Sequence, residues 1–401
     1  EPLHLLIPAH QGDYPVGPCT ALTVISDEAQ SDIQFASGHL NGWIHCWSLK
    51  TRRPINFWLG HVETQVTTLR YWPVGVLVSH GRDGFIRFWR IGGTSCSSQL
   101  PPEQVFTEIP TCPFTFCQID FWPHTLDANS HYFLAHVPSS ATTPDGEPNK
   151  TAHVEVIRFP DNVIVVDTAA AAIDTAEFGM CMAIQGISTS NVNQKCRFMA
   201  AYEAGHLLMY SNGYVVLRLD GCLGVGVPVM SLCIQPPLPG RTDRFVAIGG
   251  PSLCTVESKS CVTTLLFYLL SGVDEDKPAL ELIQSKRTFE STAGIGSLSW
   301  RSDGRILVCG QWDGQLRLLE CRQKTIRCLG WLTSLGGIDS GELLGDWAAT
   351  TVAQPHGPTI DQKSMSIRSC CFTPRSKWLI TAAPANAGAV GGLLVWDVYR
   401  Y

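Results

Sequence analysis

The sequence predicts an all-β protein, a propeller of about seven four-stranded blades closed into a ring by its N-terminal strand. Three observations lead there. The first is composition. Of 401 residues, 45% are hydrophobic and only 16% charged, with 36 Gly and 25 Pro. Few charges and many turn-formers suit many short strands better than a helical bundle, and the length allows a large buried core. The second is a pair of matching segments. "FASGHLNGWIHCW" (35–47) and "LVSHGRDGFIRFW" (77–89) place Gly42 and Trp47 in the same register as Gly84 and Trp89. The third is that the pattern recurs, as "AAYEAGHLLMY" (200–210), "LVCGQWDGQLRLL" (307–319) and "GGLLVW" (391–396). Each copy puts an aromatic or aliphatic residue five positions after the glycine: Tyr210 after Gly205, Leu319 after Gly314, Trp396 after Gly391.

Taken in order, the first ten residues, "EPLHLLIPAH", resemble "PINFWLGH" (54–61): an apolar strand, then a small residue and His. They are expected to supply the outer strand of the last blade, which ends just after Trp396. The first and second blades each centre on a hairpin. Asn-Gly or Asp-Gly between alternating runs is a strong tight-turn signal, because Gly tolerates positive φ. Ile44, Cys46, Ile86 and Phe88 share one strand face, and Phe85, Arg87 and Trp89 share the other. The gap from Gly84 to Gly205 holds a diverged blade, with strands expected near 114–121, 132–136 and 154–159. It also holds a polar insertion at 138–152 and, before Met180, a stretch with helical propensity. "VMSLCI", "RFVAIGG" and "VTTLLFYLL" mark a further blade before Gly314. The last blade follows an insertion near 335–365. Residues 1–401 then read as one propeller domain.

The composition also excludes function classes. Net charge is −6 and no basic block occurs, which argues against nucleic acid or an anionic membrane as the main partner. The apolar run 261–273 is too short to span a bilayer and reads as a buried strand. The 16 cysteines show no C-x-x-C pairing and are read as buried, reduced thiols in a cytoplasmic and nuclear protein. The Asn149–Thr151 sequon is then a chance match. "GCLGVGVP" (221–228) has glycines but no following helix to cradle phosphate. No catalytic residue, cofactor or metal ligand is assigned. The chain opens on Glu1 rather than Met, consistent with a trimmed N-terminal segment.

The repeating hairpins resemble those of WD40-repeat proteins. That resemblance implies a tetrad in each regular blade: a His before the inner strand, a Ser or Thr on the second strand, the turn Asp, and the Trp on the third. His61, Ser79, Asp83 and Trp89 hold those places in the second blade. His10, Ser37, Asn41 and Trp47 hold them in the first, with Asn for Asp. The sixth blade keeps Asp313 but has Cys309 and Leu319, so no tetrad is expected there. His, Ser and Asp also make a hydrolase triad, but an active site occurs once and a structural bond can recur in every blade. The tetrad reading leaves His80 and Arg82 unexplained; both are expected at turns or core edges.

A closer resemblance is to the G-protein β-subunit-like protein 1 group, related to fungal ASTRA-associated protein 1. It rests on "SGHLNGWIHCWSLKTRR" (37–53), "GRDGFIRFW" (81–89), "AAYEAGHLLMY" (200–210), "SLSWRSDGRILVCGQWDGQLRL" (297–318) and "GGLLVWDVYR" (391–400). The 138–152 and 335–365 insertions are longer than this resemblance requires. The resemblance implies a non-enzymatic, monomeric adaptor, partnered by TTT co-chaperone subunits and phosphatidylinositol-3-kinase-related kinases, without a cofactor. A scaffold that reads peptides or histone tails within a chromatin-associated complex is the alternative. Trp43, Arg52 and Arg53, in the family-like first blade, are the candidate partner-binding residues.

Overall fold

The computed structural model describes residues 4–6, 17–25, 32–91, 105–124, 131–139, 153–170, 175–188, 195–254, 261–275, 277–290, 293–322, 324–333, 367–373, 378–382 and 392–398. These residues form seven four-stranded antiparallel sheets arranged as blades around one ring. The first blade is β2 (Cys19–Val24), β3 (Gln34–His39), β4 (Trp43–Ser48) and β5 (Arg53–Leu59). The second is β6 (Val66–Trp72), β7 (Val76–Gly81), β8 (Phe85–Arg90) and β9 (Val105–Pro110). The third is β10 (Asp120–Pro123), β11 (Tyr132–His136), β12 (Glu155–Phe159) and β13 (Val163–Asp167). The fourth is β14 (Cys181–Gly186), β15 (Arg197–Tyr202), β16 (Leu207–Ser211) and β17 (Tyr214–Leu219). The fifth is β18 (Ser231–Ile234), β19 (Arg244–Cys254), β20 (Cys261–Ser271) and β21 (Ala279–Glu290). The sixth is β22 (Ile295–Trp300), β23 (Ile306–Gln311), β24 (Gln315–Arg322) and β25 (Thr325–Thr333).

The seventh blade takes three strands from the C-terminal end, β26 (Cys370–Phe372), β27 (Trp378–Ala382) and β28 (Leu393–Asp397). Its fourth is β1 (His4–Leu6), which pairs antiparallel with β28, Leu6 opposite Leu393. The N-terminal strand therefore closes the ring, as the sequence led one to expect.

Seven apolar clusters hold the blades together, one at each interface. Between the first and second blades lie Ile44, Cys46, Trp58, Leu69, Leu77 and Trp89. Between the second and third lie Val78, Ile86, Phe88, Phe121, Leu134 and Phe159. The two faces of β8 thus point into different interfaces, which is why its residues alternate without a polar face. The ring closes where Leu6, Phe35, Trp47, Leu393 and Val395 meet.

The hairpin glycines have the expected conformation: φ is 87° at Gly42 and 82° at Gly84. At Gly42 a Cβ would also sit 1.5 Å from the His61 carbonyl oxygen, so the turn and the next blade's entry loop interlock there. Gly391 lies outside the described residues, as do 140–152 and 335–365 of the two insertions.

One strand differs from its expected position. Phe114 lies in a turn, residues 115–119 belong to no strand, and β10 begins only at Asp120. Burial alternates along it: Thr115, Cys117 and Ile119 are buried, while Phe114 and Phe116 are exposed. The fifth blade holds another difference. β19, β20 and β21 run 11, 11 and 12 residues against four in β18. They carry a three-stranded ribbon past the inner strand on the face of the hairpin turns.

Candidate functional site

Blade two brings His61, Ser79, Asp83 and Trp89 together. Trp89 Nε1 donates to Ser79 Oγ at 2.8 Å, and Ser79 Oγ meets His61 Nε2 at 2.8 Å. His61 Nδ1 donates to Asp83 Oδ1 at 2.9 Å. One tautomer satisfies the chain: a neutral imidazole with its proton on Nδ1, taking the Ser79 proton at Nε2. Arg87 then bonds the other Asp83 oxygen and reaches Glu108 Oε1 through Nε at 2.6 Å. Burial holds the His61 pKa below the usual range against the pull of Asp83. Burial raises the Asp83 pKa, but hydrogen bonds from His61 and Arg87 outweigh it and hold the carboxyl at about 2.

This arrangement cannot work as a hydrolase triad. Ser79 is fully buried, and its oxygen already accepts from Trp89, so no substrate carbonyl can approach it. What it does is tie the inter-blade loop at His61 to the strands at Ser79 and Trp89 through two buried bonds, and to the turn at Asp83 through a part-buried one.

Blade one builds the same chain from a different histidine. Trp47 Nε1 donates to Ser37 Oγ at 2.8 Å, and Ser37 Oγ meets His39 Nε2 at 2.9 Å. His39 Nδ1 donates to the Gly17 carbonyl at 2.8 Å. A backbone carbonyl takes the part that Asp83 plays in blade two, and Asn41 does not hold the imidazole. His10, expected in this place, lies outside the described residues, and the imidazole that meets Ser37 is His39. The signal was present in the sequence: residues two apart on a strand share a face, so His39 stands beside Ser37. In blade seven Trp396 Nε1 donates to Thr381 Oγ1 at 3.0 Å. In blade four Tyr202 and Tyr210 join hydroxyl to hydroxyl at 2.9 Å. In blade six Cys309 and Leu319 are buried apolar fillers, while Asp313 Oδ1 accepts from the Gln315 amide within its own turn.

His80 is also internal, with Nδ1 2.8 Å from Thr67 Oγ1. Arg82 is exposed, its guanidinium 4.9 Å from the centre of the Phe116 ring. The three candidate partner-binding residues sit on the first blade away from the ring centre. Trp43 is half-buried against His45 and Phe57, with ring centres 6.3 and 6.2 Å away. Arg52 and Arg53 are exposed at the β4–β5 turn, where Arg52 has a φ of 59°.

The innermost strands of all seven blades enclose a central channel of about 1140 Å³. Among the described residues its wall carries one buried carboxylate, Asp120, to which Arg70 Nε donates at 3.0 Å. Gln65, Arg82, Phe116, Arg368 and Leu40 gather where the channel opens on the face of the hairpin turns. Sequence reasoning missed Arg70, Asp120, Phe116 and Arg368, because their convergence depends on ring closure. Among the described residues, no group of three His, Cys, Asp or Glu side chains is arranged to hold a metal. Nor is any helix there long and apolar enough to cross a membrane.

The fold is a seven-bladed β-propeller whose hairpins and buried tetrad are similar to those of WD40 repeats. The WD domain, G-beta repeat family matches residues 283–320. The chain is 21% identical to ASTRA-associated protein 1 of Verticillium alfalfae over 378 residues, 91% of this chain and 87% of the relative. It is 23% identical to the Penicillium rubens protein of the same name over 430 residues, 92% of each. Among solved structures it is similar to U3-55K, with a TM-score of 0.59 at 13% identity, covering 98% of this chain and 97% of that one. The Myceliophteria thermophila Cps50 (Swd1) propeller domain gives a TM-score of 0.59 at 12% identity, covering 95% and 97%. The structural likenesses bear on fold alone. The chain thus carries a match to the WD40 repeat and resembles ASTRA-associated protein 1 along most of its length.

Proposed function

We propose that this chain is a non-enzymatic adaptor in an ASTRA-type assembly. In that role it assists TTT co-chaperone-dependent stability and assembly of phosphatidylinositol-3-kinase-related kinases. The observation that carries the reading is the similarity to ASTRA-associated protein 1, which runs through nearly all of the propeller rather than one repeat. The physical character of the chain agrees with it. Its most triad-like cluster is sealed inside a blade, and rigid sheets hold the surface loops at fixed spacing, so a broad partner surface is recognised at little ordering cost. The proposed compartments are cytoplasm and nucleus. The test is depletion from cells followed by measurement of kinase levels and of TTT subunits in the precipitate. Loss of the kinases and recovery of TTT are expected. Unchanged kinase levels with no TTT recovered would overturn the reading.

The open channel mouth favours one second reading, a scaffold that binds peptides or histone tails. It predicts binding of histone-tail peptides to the purified chain, which the adaptor reading does not require.

A further inference from the structure

We propose that the outer rim of the first blade docks an extended segment of a partner protein, acidic at one end and apolar at the other. The proposal rests on the adaptor reading and gives it a surface and a partner chemistry.

The rim is built along β5. At one end the β4–β5 turn carries Lys50, Arg52 and Arg53, all exposed. At the other end Leu59 lies opposite Trp43, and Phe57 opposite His45, so Trp43, Phe57 and Leu59 share one strand face. The Trp43 and Phe57 ring centres are 6.2 Å apart. That face looks toward the seventh blade, and the first blade fills the interface with Phe35, Trp47 and Leu49. Trp43 and Phe57 are half-buried, while Leu59 is 41% exposed. From Arg53 to Leu59 an extended strand covers about 20 Å, so the cationic and apolar ends are separate contacts on one straight rim.

Two observations set the chemistry of the occupant. The first is charge. Lys50, Arg52 and Arg53 place three cations in four positions, and no other four-residue stretch of the 401 does so. In a chain of net charge −6 this turn stands out against its surroundings. Asp32 lies beside it, but its carboxylate accepts from Ser48 Oγ and, at 3.0 Å, from the Lys50 backbone amide. Its role there is to shape the turn.

The second observation is the backbone of Arg52. Its φ of 59° is left-handed, a conformation that costs a residue with a Cβ. The corresponding turns of the third and fourth blades use Asn162 at 58° and Asn212 at 50°, and Asn tolerates this region best after Gly. The first blade keeps Arg where Asn folds more easily, so the position gains a guanidinium at a conformational cost. A guanidinium fork pairs bidentately with carboxylates. Three cations on one turn are too few to follow a nucleic-acid backbone, which takes about six to ten phosphate contacts. A chain segment with Asp or Glu over the turn and Leu or Phe against Trp43 and Leu59 fits both ends.

The experiment titrates the full chain with three short synthetic peptides and follows binding by calorimetry. The first carries Asp and Glu at one end and Leu and Phe at the other. The second has Lys in place of the acids, and the third Ser in place of the apolar residues. The first should bind, more weakly as salt rises; the second should not bind, and the third should bind less well. Arg52→Asn should melt at or above the parent temperature, because Asn suits the left-handed turn, yet bind the first peptide about threefold or more weakly. Adding Arg53→Gln should bring the loss to about tenfold or more, and Leu59→Ser alone should weaken binding. Arg82→Glu, at the channel mouth, should leave it unchanged. Equal binding of the Lys peptide, binding of none of the three, indifference to the double variant, or loss of binding in Arg82→Glu would overturn the proposal. The adaptor reading is separable. If the parent chain and the double variant precipitate TTT equally, this surface is wrong and the adaptor reading survives. If the acidic peptide binds as described but no TTT is recovered, the adaptor reading falls and the surface stands.

Discussion

Arg70 and Asp120 join the second blade to the third across the channel wall, Nε to Oδ1 at 3.0 Å. The other Asp120 oxygen reaches the fourth blade, accepting from the Gly186 amide at 2.7 Å and from Gln185 Nε2 at 3.0 Å. One carboxylate, 5% exposed, therefore holds three successive inner strands. Apolar packing between blades is non-directional, whereas this charge-assisted network fixes their relative height.

Removing that carboxylate leaves a partly buried guanidinium and a backbone amide without their acceptor. Asp120→Ala should cost about 3–5 kcal/mol in denaturant unfolding, the range for breaking one side of a buried ion pair. Asp120→Asn keeps an acceptor oxygen and should cost less. An unchanged midpoint for the alanine variant would show that the blades are held by packing alone.

The tetrad should behave as a unit. His61→Ala and Asp83→Ala each leave buried partners unsatisfied and should cost about 1–3 kcal/mol. The double variant should cost clearly less than the sum, because the second change removes partners already orphaned by the first. Additive losses in a double-mutant cycle would mean that the two residues do not share one network.

Buried imidazoles give a defined acid response. Burial lowers His39 to about 4, His80 to about 3 and His45 to about 2, the last two with further lowering by neighbouring histidines. Their unfolded value is about 6.5, so between that pH and their folded values the unfolded chain binds more protons. The stability they contribute is complete above pH about 6.5 and is lost as pH falls, by about 1.4 kcal/mol per imidazole per pH unit. The melting temperature should therefore be flat above neutrality and drop between about pH 6.5 and 5, before carboxylates titrate. His45 tests the assignment: its ring stacks on Phe57 at 5.5 Å, and its Nδ1 has no hydrogen-bond partner. His45→Phe should keep stability at neutral pH and flatten the acid slope. A slope identical to that of the parent chain would remove His45 from the account.

Most of the ring was legible because the hairpin glycine and the closing Trp act locally: the turn needs positive φ, and the Trp needs a hydroxyl on the neighbouring strand. Blade two could be read residue by residue for that reason. In blade one the sequence pointed to His10, which lies outside the described residues, and passed over His39, because both satisfy a pattern of residue types and only the backbone shows that Gly17 supplies an acceptor to His39. Blade seven's Thr381 was not picked out, since residues 383–391 separate it from the hairpin run that ends at Trp396. The channel mouth was not legible at all. Gln65, Phe116 and Arg368 lie far apart in sequence and meet only once seven blades have closed. The outward phase of Phe114 and Phe116 contradicts the usual inference that alternating aromatics mark a buried strand face.

Ring closure rests on very little chain, and that makes it testable. β1 has three residues, each paired with β28, and Leu6 is buried against the interface between the seventh and first blades. Leu6→Asp places an uncompensated charge there and should lower the melting temperature. Deleting residues 1–10 should do more, because it removes the strand and exposes the β28 edge to pairing with other molecules. The truncated chain should melt earlier and elute partly as larger species. A synthetic peptide of residues 1–10 added in trans should raise its melting temperature as peptide concentration increases, since it binds only the folded ring. A truncated chain that melts like the full one, elutes as a monomer and ignores the peptide would mean that β1 does not close the propeller.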